Sequence, residues 1–109
     1  MTAPEIKQFA VNVIRTELAA SGITAGKIIL FGSQADGKTG NDSDWDFLVC
    51  IPEELPFSRK AKISTQIQRK LALNRISADL IIKSEASVAR ECDNVGFITH
   101  YALKNGVQL

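Results

Sequence analysis

The stretch LFGSQADGKTGNDSDWDFLV, residues 30–49, constrains the fold of this chain most strongly. It joins a Gly-Ser pair, a polar loop and two aspartates, Asp44 and Asp46, which lie in a run that otherwise reads as a buried strand. Because side chains alternate across a strand, both carboxylates point to one face and the apolar residues to the other. Two ionised carboxylates about 7 Å apart repel each other and are costly to bury alone. The stretch therefore predicts either an acidic surface strand or a site that binds a cation.

Hydrophobic periodicity and turn residues divide the rest of the chain into helices and strands. In chain order they predict a helix from Pro4 that ends at Ser21-Gly22, strands over 27–31 and 44–51, a helix over 58–74, a strand over 76–83, two helices with Ser84 and Asp93 as N-caps, and a short strand over 107–109. Residues 32–43 read as a loop. We expect an α/β fold, a small mixed sheet with helices packed on it.

Length, composition and charge limit the possible classes of protein. The 109 residues suit a single domain, residues 1–109, and 45% hydrophobic with 23% charged residues is typical of a soluble globular protein. A net charge of +1 gives no field that would attract nucleic acid or an acidic membrane surface, so any phosphate chemistry needs a local site. No apolar run approaches the roughly 20 residues of a membrane helix, and charges interrupt the N-terminal segment. We expect a cytoplasmic protein with no membrane contact and no direct nucleic-acid binding.

The cysteines do not predict a metal site. Cys50 and Cys92 lie far apart without a CxxC spacing, and the chain has one histidine. A zinc site is therefore not expected, and both cysteines are interpreted as structural residues.

Three acidic residues predict a divalent-cation site. The carboxylates of Asp44 and Asp46 are hard oxygen ligands of the kind that suits Mg²⁺, which commonly shares its ligands with substrate phosphates. A third acid, Asp79, lies between apolar neighbours in the strand segment ISADLII. If this strand lies beside the strand of Asp46, the three carboxylates form one cluster.

The Gly32-Ser33 pair predicts a phosphate-binding turn. A glycine directly after a buried strand allows a ligand to approach the backbone, and a helical turn that begins there aims N–H groups at an anion. The Ser33 hydroxyl adds a donor. Phosphate on the Gly-Ser side and metal on the aspartate side together describe a site for a nucleoside triphosphate.

Gly32-Ser33, ten intervening residues, Asp44-Trp45-Asp46-Phe47 and the later Asp79 together resemble the nucleotidyltransferase superfamily of DNA polymerase beta type. The chain is most similar to its minimal nucleotidyltransferase branch, many members of which are antitoxins paired with HEPN-type toxins.

The resemblance implies that Gly32 and Ser33 bind a nucleotide, usually ATP, and that Asp44, Asp46 and Asp79 are catalytic and hold Mg²⁺, as two ions. It further implies transfer of a nucleotidyl group to an acceptor hydroxyl with release of pyrophosphate, the acid at Asp79 helping to deprotonate the acceptor.

The chain departs from the family pattern at two positions. Many relatives carry arginines where this sequence has Gln34 and Asp36, and the loss of two cations weakens charge neutralisation beside a triphosphate. The cations Lys38, Arg59 and Lys83 are candidates to replace them.

Larger relatives of this superfamily carry a second domain that binds the acceptor, and we expect this sequence to comprise the catalytic core alone. We therefore expect the acceptor to come from a partner protein with which the chain forms an oligomer. Two functions compete: an enzyme that transfers AMP to a hydroxyl side chain of a HEPN-type toxin, and an inactive antitoxin that binds and occludes the toxin.

Simpler interpretations exist for most of these residues. The acids Asp44 and Asp46 could face solvent from an edge strand, Ser33 could cap a helix, and Trp45 could be a core residue or a wall on which a base stacks. On the predicted last helix, His100 could be a surface or interface residue. The basic run over residues 59–62 could be a solvated helix face or a contact to an acidic partner.

Overall fold

The structure is a computed structural model that describes residues 1–35 and 44–109. Its elements are α1 (Ala3–Ala20), β1 (Ile28–Phe31), β2 (Trp45–Ile51), α2 (Phe57–Ala72), β3 (Ala78–Ser84), α3 (Glu85–Glu91), α4 (Ile98–Asn105) and β4 (Val107–Gln108). The expected α/β fold is confirmed. In this part of the chain no helix is long and apolar enough to cross a membrane.

The four strands form one mixed sheet in the order β3-β2-β1-β4. Strand β2 pairs in parallel with β3, and β1 pairs antiparallel with both of its neighbours. A parallel pair needs a crossover, which α2 supplies. The strand that carries Asp79 therefore lies directly beside the strand that carries Asp46, as the three-carboxylate hypothesis requires.

Helices cover both faces of the sheet. On the first face, α1 and α2 pack apolar stripes of i, i+4 spacing against the strands; the fully or nearly fully buried members are Ala10, Ile14, Leu18, Ile63, Ile67 and Leu71. Trp45 belongs to this core and is 6% exposed, so its interpretation as a core residue is confirmed. On the second face, a smaller apolar cluster of Ile29, Leu48, Cys50 and Ala102 lies beneath α3 and α4.

The ends of the helices follow local hydrogen bonding. The backbone N–H of Ser87 donates to the Ser84 hydroxyl at 3.1 Å, which confirms Ser84 as the N-cap of α3. The prediction of Asp93 as a second N-cap is wrong, because α4 begins at Ile98 with Phe97 at the N-cap position.

A turn explains the late start of α4. The Asn94 side chain accepts from the Gly96 N–H at 2.9 Å, and the Asn94 carbonyl accepts from the Phe97 N–H at 3.0 Å. Such local bonds from an asparagine side chain compete with helix formation.

Candidate functional site

The three predicted site aspartates lie on the same face of the sheet. In the parallel pair, Asp46 stands directly opposite Asp79. Along β2, Asp46 shares its face with Leu48 and Cys50 of the second-face cluster, and Asp44 precedes the strand with the same parity. The structure thus places Asp44, Asp46 and Asp79 on one face of the sheet, near the N-terminal ends of β2 and β3.

The carboxylates are less buried than the apolar run suggested. Asp44 and Asp79 are exposed, and Asp46 alone is half-buried. Asp79 is exposed although its neighbours in the sequence are apolar, because β3 is the edge strand of the sheet. A cost of burying charge therefore applies to Asp46 and not to its two neighbours.

The environment of Asp46 raises the pKa of its carboxyl. Burial is the largest cause, and the negative charges of Asp79 and Asp44 act in the same direction. Among the described residues, no cation offsets these effects. A bound cation would relieve the mutual repulsion of the three carboxylates, so their chemistry fits a hard divalent ion.

Within residues 1–35 and 44–109, no group of three or more His, Cys, Asp or Glu side chains is gathered closely enough to hold a metal ion. The expectation that the three carboxyl groups already lie within bridging reach of one ion is therefore not met. The Ser77 hydroxyl donates to Oδ1 of Asp44 at 2.6 Å and holds that carboxylate toward the start of β3. Mutual repulsion disfavours a closer approach of three like charges when no cation lies between them.

The Gly32-Ser33 turn contacts the same cluster. Gly32 has φ +77° and lies so close to Asp46 that a Cβ there would collide with Oδ2 of the carboxylate. Ser33 is exposed, and its hydroxyl makes no hydrogen bond within the described part of the chain. The Ala35 N–H donates to the Gly32 carbonyl at 3.1 Å, which closes a turn over residues 32–35. The turn therefore lies against the Asp46 carboxylate.

Two of the three candidate replacement cations are engaged elsewhere. Lys83 pairs with Glu91 at 2.8 Å and lies 5.8 Å from the centre of the Phe97 ring. Arg59 donates to the carbonyl of Ser21 at 3.4 Å, at the far end of α1. The third candidate, Lys38, lies outside the described residues. So does Asp36, one of the two positions at which the sequence differs from the family pattern.

Sequence reasoning missed two residues beside the cluster. Ser77 stands opposite Asp44, and in addition to its hydroxyl contact its carbonyl accepts from the Trp45 N–H at 2.9 Å. Its position two residues before Asp79 was a usable signal, since strand parity places both on one face. Arg75, in the turn that precedes Ser77, has φ +61°. The sequence carries no signal for it, because this conformation is normally occupied by glycine.

His100 and Cys50 are held by packing and hydrogen-bond contacts away from the carboxylates. Nδ1 of His100 lies 2.7 Å from the Cys92 carbonyl, and its ring meets Tyr101 edge to face. Burial raises the pKa of the Cys50 thiol, which keeps it in the neutral form. These contacts agree with non-catalytic roles for both residues.

Comparisons with known proteins identify a family and a similar fold. The family described as "Polymerase beta, Nucleotidyltransferase" matches residues 16–101. No curated protein sequence matches the chain. One similar solved structure is described as "Crystal structure of the toxin-antitoxin with AMP-PNP"; it is 20% identical, covers 89% of this chain and 69% of its own, and has a TM-score of 0.58. At that identity the likeness shows a shared fold.

Proposed function

The chain belongs to the polymerase beta nucleotidyltransferase family, and from this premise we propose that it transfers AMP from ATP to a hydroxyl group of a partner protein. The observation that carries the proposal is the pairing of Asp46 with Asp79 on adjacent strands, beside the turn at Gly32. Because nucleotidyl transfer needs both phosphate binding and negative charge for a divalent ion, this juxtaposition supports it. We propose a cytoplasmic enzyme.

In this mechanism each part of the site has a separate task. The backbone at Gly32 and the hydroxyl of Ser33 bind and orient the phosphates of ATP. The acceptor oxygen attacks the α-phosphorus, the bond to the β-phosphate oxygen breaks, and pyrophosphate leaves. Asp79, exposed on the edge strand, takes the proton of the acceptor hydroxyl and returns it to solvent.

Asp44 and Asp46, with Asp79 beside them, are the residues that would hold Mg²⁺. When bound, Mg²⁺ supplies charge stabilisation for the attacking and leaving oxygens of the displacement. The exposed carboxylate of Asp79 can rotate toward an ion, whereas Asp44 is held by the Ser77 hydroxyl and Asp46 is half-buried.

We propose that the partner is a toxin of the HEPN type, with this chain as the antitoxin. The similar solved structure is described as a toxin–antitoxin with AMP-PNP, which supports a toxin partner and a nucleotide. Apolar side chains on and beside α4 are left partly exposed, Phe97 by 42%, Ile98 by 49% and Tyr101 by 51%. Such a surface supports binding of a protein partner.

A second candidate is an antitoxin that binds and occludes its toxin without catalysis. The engagement of Lys83 with Glu91 and of Arg59 with Ser21 favours it, because neither cation then replaces the arginines of relatives. The two functions make different demands on Asp46, which is needed for transfer and not for occlusion.

Mass spectrometry of the co-expressed partner toxin tests the proposal. With the wild-type chain, the toxin is expected to gain one AMP, and with Asp46→Asn it is expected to stay unmodified. An unmodified toxin in a tight complex with the wild-type chain would contradict the transfer function and support occlusion.

A further inference from the structure

Arg75 occupies a backbone conformation that L-amino acids with side chains rarely adopt. It follows α2, where the N–H of Arg75 donates to the Ala72 carbonyl at 2.9 Å and the N–H of Ile76 donates to the Leu71 carbonyl at 3.0 Å. These two bonds form a Schellman-type helix end, whose left-handed residue is usually glycine. Arg75, at φ +61°, is the only non-glycine residue with positive φ in the described part of the chain. A strained residue beside a candidate site points to a use for its side chain.

The guanidinium of Arg75 is unpaired among the described residues. It makes no hydrogen bond or ion pair there, whereas Arg15 donates to the Ala25 carbonyl and Arg90 to the Ser87 hydroxyl. Arg75 is exposed and lines an open hollow of ≈ 310 Å³ together with Ala72, Ile76 and Ser77. Ser77 is the residue whose hydroxyl contacts Asp44 at 2.6 Å. The hollow therefore adjoins the carboxylate cluster through Ser77.

The hollow and the phosphate-binding turn lie on opposite sides of the carboxylates. Strand β2 runs between β1 and β3, the turn at Gly32 follows β1, and Ser77 precedes β3. ATP that is held at Gly32 therefore reaches the carboxylates from the β1 side. The acceptor must then approach from the β3 side, where Asp79 and the hollow are.

We propose that this hollow is an acceptor subsite, in which Arg75 binds an acidic side chain that flanks the hydroxyl to be modified. The inference rests on the proposed transfer function and names the kind of protein segment that it modifies. A guanidinium pairs with a carboxylate through two parallel hydrogen bonds, which fixes the position of a flanking residue as well as its charge. Without such a cation, three aspartates would repel an acidic segment.

A nucleic-acid acceptor fits the same surface less well. Binding of a phosphate backbone relies on several lysines and arginines, whereas among the described residues Arg75 is the one cation that lines the hollow. The net charge of +1 gives no wider field to compensate. A single acidic side chain is therefore the better match.

Peptide binding to the full-length ¹⁵N-labelled chain tests the proposal by NMR titration. Two heptapeptides with a central tyrosine are used, one with flanking glutamates and one with flanking lysines, each with Mg²⁺ and α,β-methylene-ATP. The wild-type chain is expected to bind the acidic peptide at least tenfold more tightly and to shift the amide of Ser77. Arg75→Lys is expected to keep part of this preference, and Arg75→Glu to reverse it.

The matched control is Arg69→Glu, which makes the same charge change on the exposed surface of α2, outside the lining of the hollow. It is expected to keep the wild-type preference. Arg75→Gly suits the left-handed backbone and removes the charge, so it tests the side chain even if Arg75→Glu fails to fold. Equal binding of the two peptides by the wild type, or an equal effect of Arg69→Glu, would overturn the proposal. Tighter Arg75-dependent binding of an oligoribonucleotide would also overturn it.

A parallel assay separates this inference from the proposed function. Transfer of label from [α-³²P]ATP to either peptide and to the co-expressed toxin is measured with the same variants. An Arg75-dependent peptide preference without any transfer would refute the enzyme and leave the subsite standing. Transfer that ignores both the flanking residues and Arg75 would refute the subsite and leave the enzyme standing.

Discussion

The hydroxyl of Ser77 donates a hydrogen bond of 2.6 Å to Oδ1 of Asp44. A second bond between the same segments, from the Trp45 N–H to the Ser77 carbonyl at 2.9 Å, joins the residues that precede β3 to the start of β2. Hydrogen bonds to a carboxylate are shorter and stronger than those between neutral groups. Ser77 therefore restrains the orientation of an exposed carboxylate that is proposed to bind Mg²⁺.

Replacing Ser77 tests this positioning role. Ser77→Ala is expected to weaken Mg²⁺-dependent ATP binding by about 2- to 10-fold, since one hydrogen bond contributes about 0.5–1.5 kcal/mol. Ser77→Thr keeps the hydroxyl and is expected to restore most of the affinity. Calorimetric titration with ATP at several Mg²⁺ concentrations measures the effect. If the Ser77→Ala and Ser77→Thr variants bind MgATP equally well, the Ser77 hydroxyl does not position the Asp44 carboxylate for metal binding.

The contact between Gly32 and Asp46 predicts that a single added methyl group costs more than its backbone conformation alone. Gly32→Ala is expected to destabilise the fold by more than the roughly 1–2 kcal/mol cost of a left-handed L-residue, because its Cβ also meets the Asp46 carboxylate. It is also expected to weaken ATP binding, since the turn must move away from the aspartates. Chemical denaturation and nucleotide titration measure the two effects.

Gly22 offers a matched control, since it has the same φ of +77° and no atom within 4 Å of an added Cβ. Gly22→Ala measures the conformational cost alone. The excess cost at Gly32 then isolates the contact with Asp46. Equal destabilisation by the two substitutions would show that the turn and the carboxylate are not packed together.

The raised pKa of Asp46 predicts how its replacement depends on pH. The folded state binds this proton more tightly than the unfolded state, so the stability contributed by Asp46 is complete below the unfolded pKa and falls as pH rises through the folded pKa. Asp46→Asn removes this loss. Its melting temperature is therefore expected to exceed the wild-type value at pH 7, and this difference is expected to shrink as pH falls through the folded pKa and to vanish below the unfolded pKa of about 3.9. A difference that stays constant from pH 3 to pH 8 would contradict this account.

Glu91 is expected to show the opposite dependence of stability on pH, because its pKa is lowered in the folded state. A hydrogen bond from Lys83 is the main cause that lowers the pKa of Glu91, so the stability it contributes is present at neutral pH and is lost as pH falls through the folded pKa. Glu91→Gln is expected to lower the melting temperature at pH 7 and to lose this effect in acid.

Much of the fold could be predicted from the chain because periodicity and caps agree with the tertiary packing. The stripe of Ile63, Ile67 and Leu71 predicts the buried face of α2, and Ser84 caps α3 as its sequence context indicates. The prediction of Asp93 as an N-cap was wrong because the hydrogen bonds of Asn94 form a turn in place of the first turn of a helix.

The candidate site was predictable in its residues and less so in its environment. Strand parity places Asp44, Asp46 and Asp79 on one face, whereas their exposure depends on β3 being an edge strand, which local sequence does not determine. The left-handed Arg75 has no local signal, because its φ depends on how α2 ends and β3 begins.

The conformation of Arg75 predicts a trade between stability and recognition. Arg75→Gly is expected to stabilise the fold by about 0.5–1 kcal/mol, because relief of left-handed strain exceeds the added freedom of the unfolded chain. Urea denaturation measures this change. If Arg75→Gly destabilises the protein, the side chain contributes to folding and the strain argument fails.

The most direct test of the nucleotidyltransferase site is thermal melting of the wild type and of the double variant Asp44→Asn/Asp46→Asn, each with and without MgATP. Asparagine keeps the shape of aspartate and removes both the repulsion and the charge that a hard cation needs. MgATP is expected to raise the melting temperature of the wild type and to leave that of the variant unchanged, while the variant without ligand melts no lower than the wild type. An equal rise in both proteins would show that these aspartates do not hold the metal, and would contradict the proposed mechanism.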